Sequence, residues 1–233
     1  MKNVSVLTYN IDKNKGLPRL LALVEKHHPD VVAIQECRID HDSVHLMKKY
    51  GYEFSGHSHS FRHFFTKYSV ATFYNPNTVQ VDDASKLPLS IGFWDIVLFY
   101  RGGRRSVIKT PISIGSKRIH IHNIHLSPFI MNTLRVKQLR QIFESLIDSD
   151  EPHIVLGDFN YPYGRKKLER LLHSYDLKEA SNKIFHTFRS TFRFWPFKYK
   201  LDYIVYKNLT HVKTVQIDSF APDHTPILAK FKI

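Results

Sequence analysis

Short apolar runs recur along the chain and are separated by polar or turn-forming residues. Runs of this kind predict buried β-strands. Gly115 and Ser116 lie between two of the runs and predict a hairpin. The predicted strands are Val4–Tyr9, Val31–Ile34, Val70–Tyr74, Ile96–Tyr100, Val107–Ile114, Arg118–Ile124, His153–Leu156, Leu201–Tyr206, Val212–Ile217 and Ile227–Phe231.

Other segments carry apolar residues at helical spacing, which predicts helices that cover the strands. The clearest is Thr133–Ile147, where one side carries Leu134, Leu139, Ile142, Phe143 and Leu146. The histidines between His57 and His63 are loosely spaced within an aromatic segment, which we expect to be irregular. The predicted helices are Gly16–His28, Asp42–Tyr50, Thr133–Ile147 and Leu168–Tyr175.

Many strands with a few helices predict an α/β fold in which two mainly antiparallel or mixed sheets pack face to face, with helices outside. The chain has 233 residues, of which 42% are hydrophobic, and this is sufficient for a full core. No Pro-, Gly- or Ser-rich linker divides it. We therefore expect residues 1–233 to form a single domain.

The charge balance is strongly basic, with 34 Lys and Arg against 21 Asp and Glu and a net charge of +13. Such a balance favours a polyanionic partner, although a merely soluble basic protein is the alternative. The single cysteine, Cys37, excludes an intrachain disulfide and a thiolate zinc site. The first apolar run is too short for a signal peptide, and no run is long enough to span a membrane. The expected location is therefore cytoplasmic.

Polar residues follow the ends of the apolar strands, where a sheet delivers side chains into a cleft. Hard oxygen ligands from carboxylates suit Mg²⁺, for which Mn²⁺ can substitute, whereas the histidine spacing does not suit zinc. The amides and histidines of the set could orient a water and bind a phosphate. The strand-end residues are Asn10, Glu36, His125, Asp158, Asn160, Asp202, Asp223 and His224.

These residues lie in motifs that resemble the endonuclease/exonuclease/phosphatase family from residue 7 to residue 227. The resemblance implies a four-layer α/β sandwich with a cleft at one edge of two packed sheets. It also implies a magnesium-dependent hydrolase acting on phosphate esters. The motifs are Leu7–Ile11, Ile34–Glu36, Asn123–Leu126, Gly157–Asn160, Leu201–Ile204 and Asp223–Ile227.

The same resemblance implies a role for each motif residue. Glu36 would bind magnesium, with Asn10 and Asp223 in or near the metal shell. Asp158 would polarise the attacking water, and Asn160 would orient that water or the phosphate. His224, held by Asp202, would contact the phosphate or act as acid or base, and His125 would contact the phosphate from the other side.

Two departures from the family pattern are present. Pro222 stands where the family usually has serine, and Lys200 stands where arginine often precedes the aspartate motif. His125 resembles the DNase, tyrosyl-DNA phosphodiesterase, deadenylase and lipid or inositol phosphatase branches. An abasic-site activity is therefore less favoured.

Basic residues interleave with aromatic ones in residues 185–200, as in proteins that bind single-stranded nucleic acid. Arg189 and Arg193 are its candidate substrate-binding residues, and packing of the rings into the core is the alternative. Arg105 lies in a second basic cluster with Arg101 and Arg104, which could bind phosphate or form a solvated turn.

Three functions remain open on this evidence. The leading one is a nuclease or nucleic-acid phosphodiesterase, which the charge and the basic aromatic segment favour. The second is a phosphatase or phospholipase-type esterase acting on a phosphorylated small molecule or lipid headgroup. The third, an inactive nucleic-acid-binding module, is disfavoured because no expected polar position has become apolar.

Overall fold

The computed structural model describes residues 2–63, 66–92, 105–128, 132–147, 149–192, 195–217 and 223–233. Its helices are α1 (Leu17–His27), α2 (His41–Lys49), α3 (Asn132–Glu144) and α4 (Arg165–Ser174). Among the described residues, no helix has the length and apolar character that crossing a membrane requires. The strand predicted at Ile96–Tyr100 lies outside the described residues.

The strands run in chain order through most of the predicted positions. They are β1 (Asn3–Asn10), β2 (Val31–Cys37), β3 (Glu53–His63), β4 (Thr66–Tyr74), β5 (Gln80–Val81), β6 (Ser85–Pro88), β7 (Ser106–Ile114), β8 (Lys117–His125), β9 (His153–Asp158), β10 (Lys178–Glu179), β11 (Phe188–Phe192), β12 (Trp195–Tyr199), β13 (Asp202–Lys207), β14 (Thr210–Gln216) and β15 (Ile227–Lys232).

Most of these strands form two large mixed sheets. Sheet A has the order β14-β15-β1-β2-β4-β3, and sheet B has the order β10-β13-β9-β8-β7-β5, with β6 also paired to β7. Each sheet contains a parallel pair, β1 with β2 and β8 with β9. A parallel pair needs a crossover connection, and here α1 and α3 provide it.

The fold has four layers, because the two sheets pack on each other and each has helices on its outer face. Three separate apolar clusters fill the spaces between these layers. The cluster between the sheets includes Val6, Ala33, Ile121, Leu156 and Ala229. On the outer face of sheet A, α1 and α2 cover a second cluster, with members such as Leu7, Leu23, Val32 and Met47. On the outer face of sheet B, α3 and α4 cover a third, with members such as Ile124, Leu139, Val155 and Leu168. The predicted fold class, two packed sheets flanked by helices, is confirmed.

The segment expected to be irregular, His57 to His63, is instead part of the edge strand β3. It pairs antiparallel with β4, with His57 opposite Ala71 and His59 opposite Ser69. Its buried positions include the small polar residues Ser58 and Ser60. The apolar alternation that identifies a strand is therefore missing from this part of the sequence.

Side-chain alternation explains why polar residues gather at one end of the sandwich. On β1, β8 and β9, every second residue points between the sheets. These inward positions are first apolar and then polar at the end of the strand. The series are Val4, Val6, Thr8 and Asn10; Ile119, Ile121, Asn123 and His125; and Ile154, Leu156 and Asp158.

A buried polar bridge joins the sheets just below that end. The Gln35 side chain donates from Nε2 to Oδ1 of Asn123 at 2.7 Å, and Asn123 donates from Nδ2 to the Ala71 carbonyl at 2.8 Å. The Thr8 hydroxyl also hydrogen-bonds to the side-chain amide of Gln35. Because buried polar groups need partners, these bonds fix how the two sheets are aligned.

A histidine cluster, consisting of His120, His122 and His153, lies buried on β8 and β9. Nε2 of His122 lies 3.1 Å from Nδ1 of His153, and His120 pairs through Nε2 with Glu151. Burial lowers the pKa of all three histidines, in the case of His153 to about 4. The cluster is therefore neutral in the folded protein near neutral pH.

Candidate active site

A cleft with a volume of about 720 Å³ opens at the polar end of the sandwich. Asn10 and Asp202 are buried beside it. Both sheets contribute to the site: sheet A carries Asn10 and Glu36, and sheet B carries His125, Asp158 and Asp202. The predicted residues that line the cleft are Glu36, His125, Asp158, Asn160, Asp223 and His224.

Glu36 reaches the cleft through an irregularity in β2. Its φ is +54°, in the left-handed region that non-glycine residues rarely adopt, and the pairing of β2 with β4 shifts register between Ile34 and Cys37. Asn10 donates from Nδ2 to Oε1 of Glu36 at 3.2 Å and to Oδ2 of Asp158 at 3.0 Å. One amide therefore holds a carboxylate from each sheet.

Asp158 depends on the glycine before it. Gly157 has a φ of +135°, and a Cβ at this position would lie 2.1 Å from the Ile124 carbonyl oxygen on β8. Only glycine permits this close approach. Oδ1 of Asp158 accepts from the Asn160 backbone N–H at 2.8 Å, while Nδ2 of Asn160 donates to the Leu126 carbonyl at 3.1 Å. These two hydrogen bonds hold the short loop that runs from Asp158 to Asn160.

His224 and Asp202 form a buried dyad that faces Asp158. Nδ1 of His224 lies 2.8 Å from Oδ2 of Asp202, and its Nε2 lies 3.9 Å from Oδ2 of Asp158. Burial alone lowers the pKa of His224, but Asp202 and the neighbouring carboxylates outweigh it and raise the pKa. Thr187 fixes the dyad from behind, because its Oγ1 accepts from the Asp202 backbone N–H at 2.9 Å.

His125 approaches Asp158 from the other side. Its Nε2 lies 3.6 Å from Oδ2 of Asp158, and its Nδ1 lies 2.7 Å from Oγ of Ser60. Arg105 donates from Nη1 to that same hydroxyl at 2.9 Å and to the His125 carbonyl at 3.3 Å. Burial lowers the pKa of His125 well below its usual value, so the ring is neutral.

Two of the three predicted substrate-binding arginines lie among the described residues. Arg105 is only 1% exposed and supports Ser60 and His125 from within the protein; it is not among the described residues that line the cleft. Arg189 is exposed on β11, and its backbone N–H donates to the Asp223 carbonyl at 2.8 Å, which places it beside the site. Arg193 lies outside the described residues.

The carboxylates of the cleft suit a hard divalent cation. Burial raises the pKa of Glu36, Asp158 and Asp223 and outweighs the opposing effect of nearby His224, as expected for carboxylates withdrawn from water. Within the described residues, Oδ1 of Asp223 and Oδ1 of Asp202 are buried without a hydrogen-bond partner. Ligand atoms of Asp158, Asp202 and His224 also lie within 4.8 Å of one another. Such an oxygen-rich donor set fits Mg²⁺ or Mn²⁺.

The structure also brings residues into the cleft that the sequence did not single out. Arg135 on α3 is buried and lines the cleft, where it donates to the Ser127 carbonyl and to Oδ1 of Asn132. Asp12 and Lys13 form another part of the wall, with left-handed φ values of +38° and +55°. A basic residue on the buried face of an amphipathic helix was the one sequence signal that could have identified Arg135.

Comparisons with known proteins identify the family and the fold. The profile of the Endonuclease/Exonuclease/phosphatase family matches residues 7–224. The comparison with curated proteins gave no match. D. rerio TDP2 complexed with a single-strand DNA product has a TM-score of 0.76 and 15% identity, and 100% of each chain is covered.

Two further solved structures show the same fold. A mannosyl-6-phosphatase from Bacteroides thetaiotaomicron VPI-5482 has a TM-score of 0.76 and 16% identity, covering 99% of this chain and 100% of that one. A functionally unknown conserved protein from Enterococcus faecalis V583 has a TM-score of 0.74 and 21% identity, covering 98% and 99%. Since the family profile spans nearly the whole chain, this protein belongs to the endonuclease/exonuclease/phosphatase family, whose members hydrolyse phosphate esters.

Proposed function

We propose that the protein is a divalent-metal-dependent phosphodiesterase that cuts nucleic acid. The observation that carries the proposal is the convergence of the His224–Asp202 dyad, Asp158 and Glu36 on one cleft. A hydrolase needs an oriented water, charge stabilisation on the phosphate and a group that can handle a proton. This set of side chains can meet each need.

Each polar side chain of the cleft has its own role in this proposal. Asp158 polarises the attacking water, and Asn160 orients that water or the phosphate. His224, with its Nδ1 held by Asp202, presents Nε2 to the phosphate or to the departing oxygen. His125 contacts the phosphate from the opposite wall.

Glu36 would hold the cation, with Asn10 and Asp223 in or near its shell. The bound ion would supply charge stabilisation on the phosphoryl oxygens. Mg²⁺ is the expected ion and Mn²⁺ the substitute, because the available donors are carboxylate and amide oxygens. Asn10 also positions Glu36 and Asp158 through its two hydrogen bonds.

Nucleic acid is favoured as the substrate by charge and by surface chemistry. The chain carries a net charge of +13, and the exposed side chains of Arg189 and Lys198 lie on the β11–β12 hairpin. The backbone N–H of Arg189 in this hairpin donates a hydrogen bond to the Asp223 carbonyl. The charges of the hairpin therefore border the cleft. The fold shared with the DNA-bound TDP2 structure supports the same choice.

A small phosphate ester is the second candidate. It is favoured by the equal structural likeness to a mannosyl-6-phosphatase. The catalytic set would serve either substrate, so the two candidates differ only in what surrounds the scissile phosphate.

A substrate panel tests the proposal. Single-stranded DNA, RNA, plasmid, an inositol phosphate and a choline phospholipid would be incubated with Mg²⁺, with Mn²⁺ and with EDTA. We expect cleavage of a polynucleotide that stops in EDTA and returns with either metal. The Asp158→Asn variant, purified in the same way, controls for contaminating nucleases. Cleavage of the small esters alone would replace the first candidate by the second, and full activity in EDTA would contradict the metal requirement.

A further inference from the structure

A second cavity, with a volume of about 480 Å³, adjoins the catalytic cleft. Pro162, Tyr163 and Tyr199 line both cavities and form the boundary between them. Both volumes lie within the range of about 300–1,000 Å³ that is typical of ligand pockets. The cleft therefore continues beyond the residues that would contact the scissile phosphate.

Aromatic rings dominate the rim of the second cavity. Phe185 is 86% exposed, Tyr163 is 60% exposed and Tyr199 is 40% exposed. The ring of Tyr199 also stacks on Phe197, with centroids 6.3 Å apart and an angle of 6° between the planes. Clustered exposed rings of this size mark a binding surface, because each leaves a large apolar area in water.

The backbone beneath these rings is fixed. The Tyr163 carbonyl accepts from Nδ2 of Asn132 at 2.6 Å, and the Tyr199 carbonyl accepts from the Thr187 N–H at 2.8 Å. Phe185 follows Ile184, which is buried in the cluster between the sheets. The backbone that carries Tyr163 and Tyr199 is therefore set before any ligand arrives, which lowers the entropic cost of binding.

One ammonium group in this cavity is available to an anion. Lys198 lines the cavity and is exposed, and its Nζ has no carboxylate within 4.0 Å among the residues that the structure describes. The other two cations of the lining, Arg165 and Lys200, are both paired with Glu179. Lys198 thus supplies a charge for a phosphate beside rings that suit a base.

We propose that the second cavity binds an unpaired base and its phosphate, at least one nucleotide beyond the two that flank the scissile bond. The substrate would then be a single strand that runs from the cleft over Tyr163 and Tyr199 toward Phe185. Stacking on exposed rings requires a free base face, which a duplex does not offer. This inference rests on the proposed nuclease function and adds strandedness and a minimum length to it.

The test compares single-stranded oligothymidylates of two and eight nucleotides and the octamer annealed to its complement, all with Mg²⁺. The dinucleotide has no nucleotide beyond the two that flank its phosphodiester, so we expect kcat/KM per phosphodiester to be at least about tenfold higher for the single-stranded octamer than for the dinucleotide or the annealed octamer. One base–aromatic stack is worth about tenfold in binding, so Phe185→Ala should lower the octamer-to-dinucleotide ratio by about that factor, mainly through KM. Phe185→Trp should retain the ratio. Tyr50→Ala, which removes an exposed tyrosine that lines neither cavity, is the matched control.

A binding measurement separates recognition from turnover. In the Asp158→Asn background, the Kd of fluorescently labelled octathymidylate should rise about tenfold with Phe185→Ala and should stay the same with Tyr50→Ala. An unchanged ratio and an unchanged Kd in Phe185→Ala would overturn the inference while leaving the nuclease function in place. Cleavage of bis(4-nitrophenyl) phosphate without cleavage of oligothymidylate or of single-stranded RNA would instead refute the nuclease function, and the inference with it.

Discussion

Gly157→Ala tests whether the geometry of the site depends on one close approach between β8 and β9. The added Cβ would lie 2.1 Å from the Ile124 carbonyl oxygen, whereas ordinary van der Waals contact begins near 3.4 Å. The backbone fixes the position of the Cβ and the oxygen is itself a backbone atom, so no side-chain rotation can relieve the contact. The strands must separate, and the 3.6 Å approach of His125 to Asp158 must change with them.

Two costs add at this position. An alanine held at a φ of +135° costs about 1–3 kcal/mol, and forcing atoms into a packed interior costs about 1–3 kcal/mol. We therefore expect the free energy of unfolding to fall by about 2–6 kcal/mol, a large share of the ~5–15 kcal/mol that stabilises a typical protein.

Gly51→Ala is the matched control, because Gly51 has a φ of +83° but no heavy atom within 4 Å of the added Cβ. It should lose only the conformational cost of about 1–2 kcal/mol. Urea unfolding followed by circular dichroism would give both values, and turnover of the folded fraction would report on the site. Equal losses of stability in the two variants, with normal turnover in Gly157→Ala, would refute the reasoning.

Three further predictions follow from the site, the hairpin and the histidine cluster. Asp158→Asn and His224→Ala should each lower kcat by about a hundredfold or more at unchanged circular dichroism, and near-normal turnover would remove that residue from its role. Replacing Arg189 and Lys198 by serine should flatten the salt dependence of single-strand binding by about 0.7 log units per lost phosphate contact, measured as log Kd against log salt; an unchanged slope would assign the hairpin a structural role. The folded histidine cluster has lowered pKa values, so its stabilisation is full above about pH 6.5 and is lost as the pH falls toward about 4. His153→Phe should therefore reduce the fall in the urea midpoint between pH 7 and pH 5, and an identical fall in both proteins would contradict this account.

The strand framework of the protein is readable from its sequence. The runs that end in Asn10, His125 and Asp158 are apolar enough to identify strands, and the polar residue that follows each run marks the end of a sheet. The hairpin predicted around Gly115 and Ser116 is confirmed, since Ile114 pairs with Lys117. Periodicity succeeds here because burial on an inner face enforces it.

Features that depend on tertiary contacts are harder to predict from the sequence. Part of the inner face of β3 is built from serines that hydrogen-bond across the sheets, so this strand lacks an apolar pattern. The left-handed backbone at Glu36 accompanies a register shift between β2 and β4. Arg105 is basic and follows Gly102 and Gly103 in the sequence, yet its guanidinium is buried behind Ser60. None of these placements follows from local propensity.

The polar bridge between Gln35 and Asn123 has a consequence for how activity arises during folding. Glu36 lies on one sheet and Asp158 on the other, and the bridge lies directly below them. A molecule in which each sheet had formed but the two had not yet docked would hold both carboxylates and still lack a site. Turnover therefore reports on the joining of the two halves of the sandwich, and its recovery during refolding should follow the latest long-range step, after most of the secondary structure has already returned.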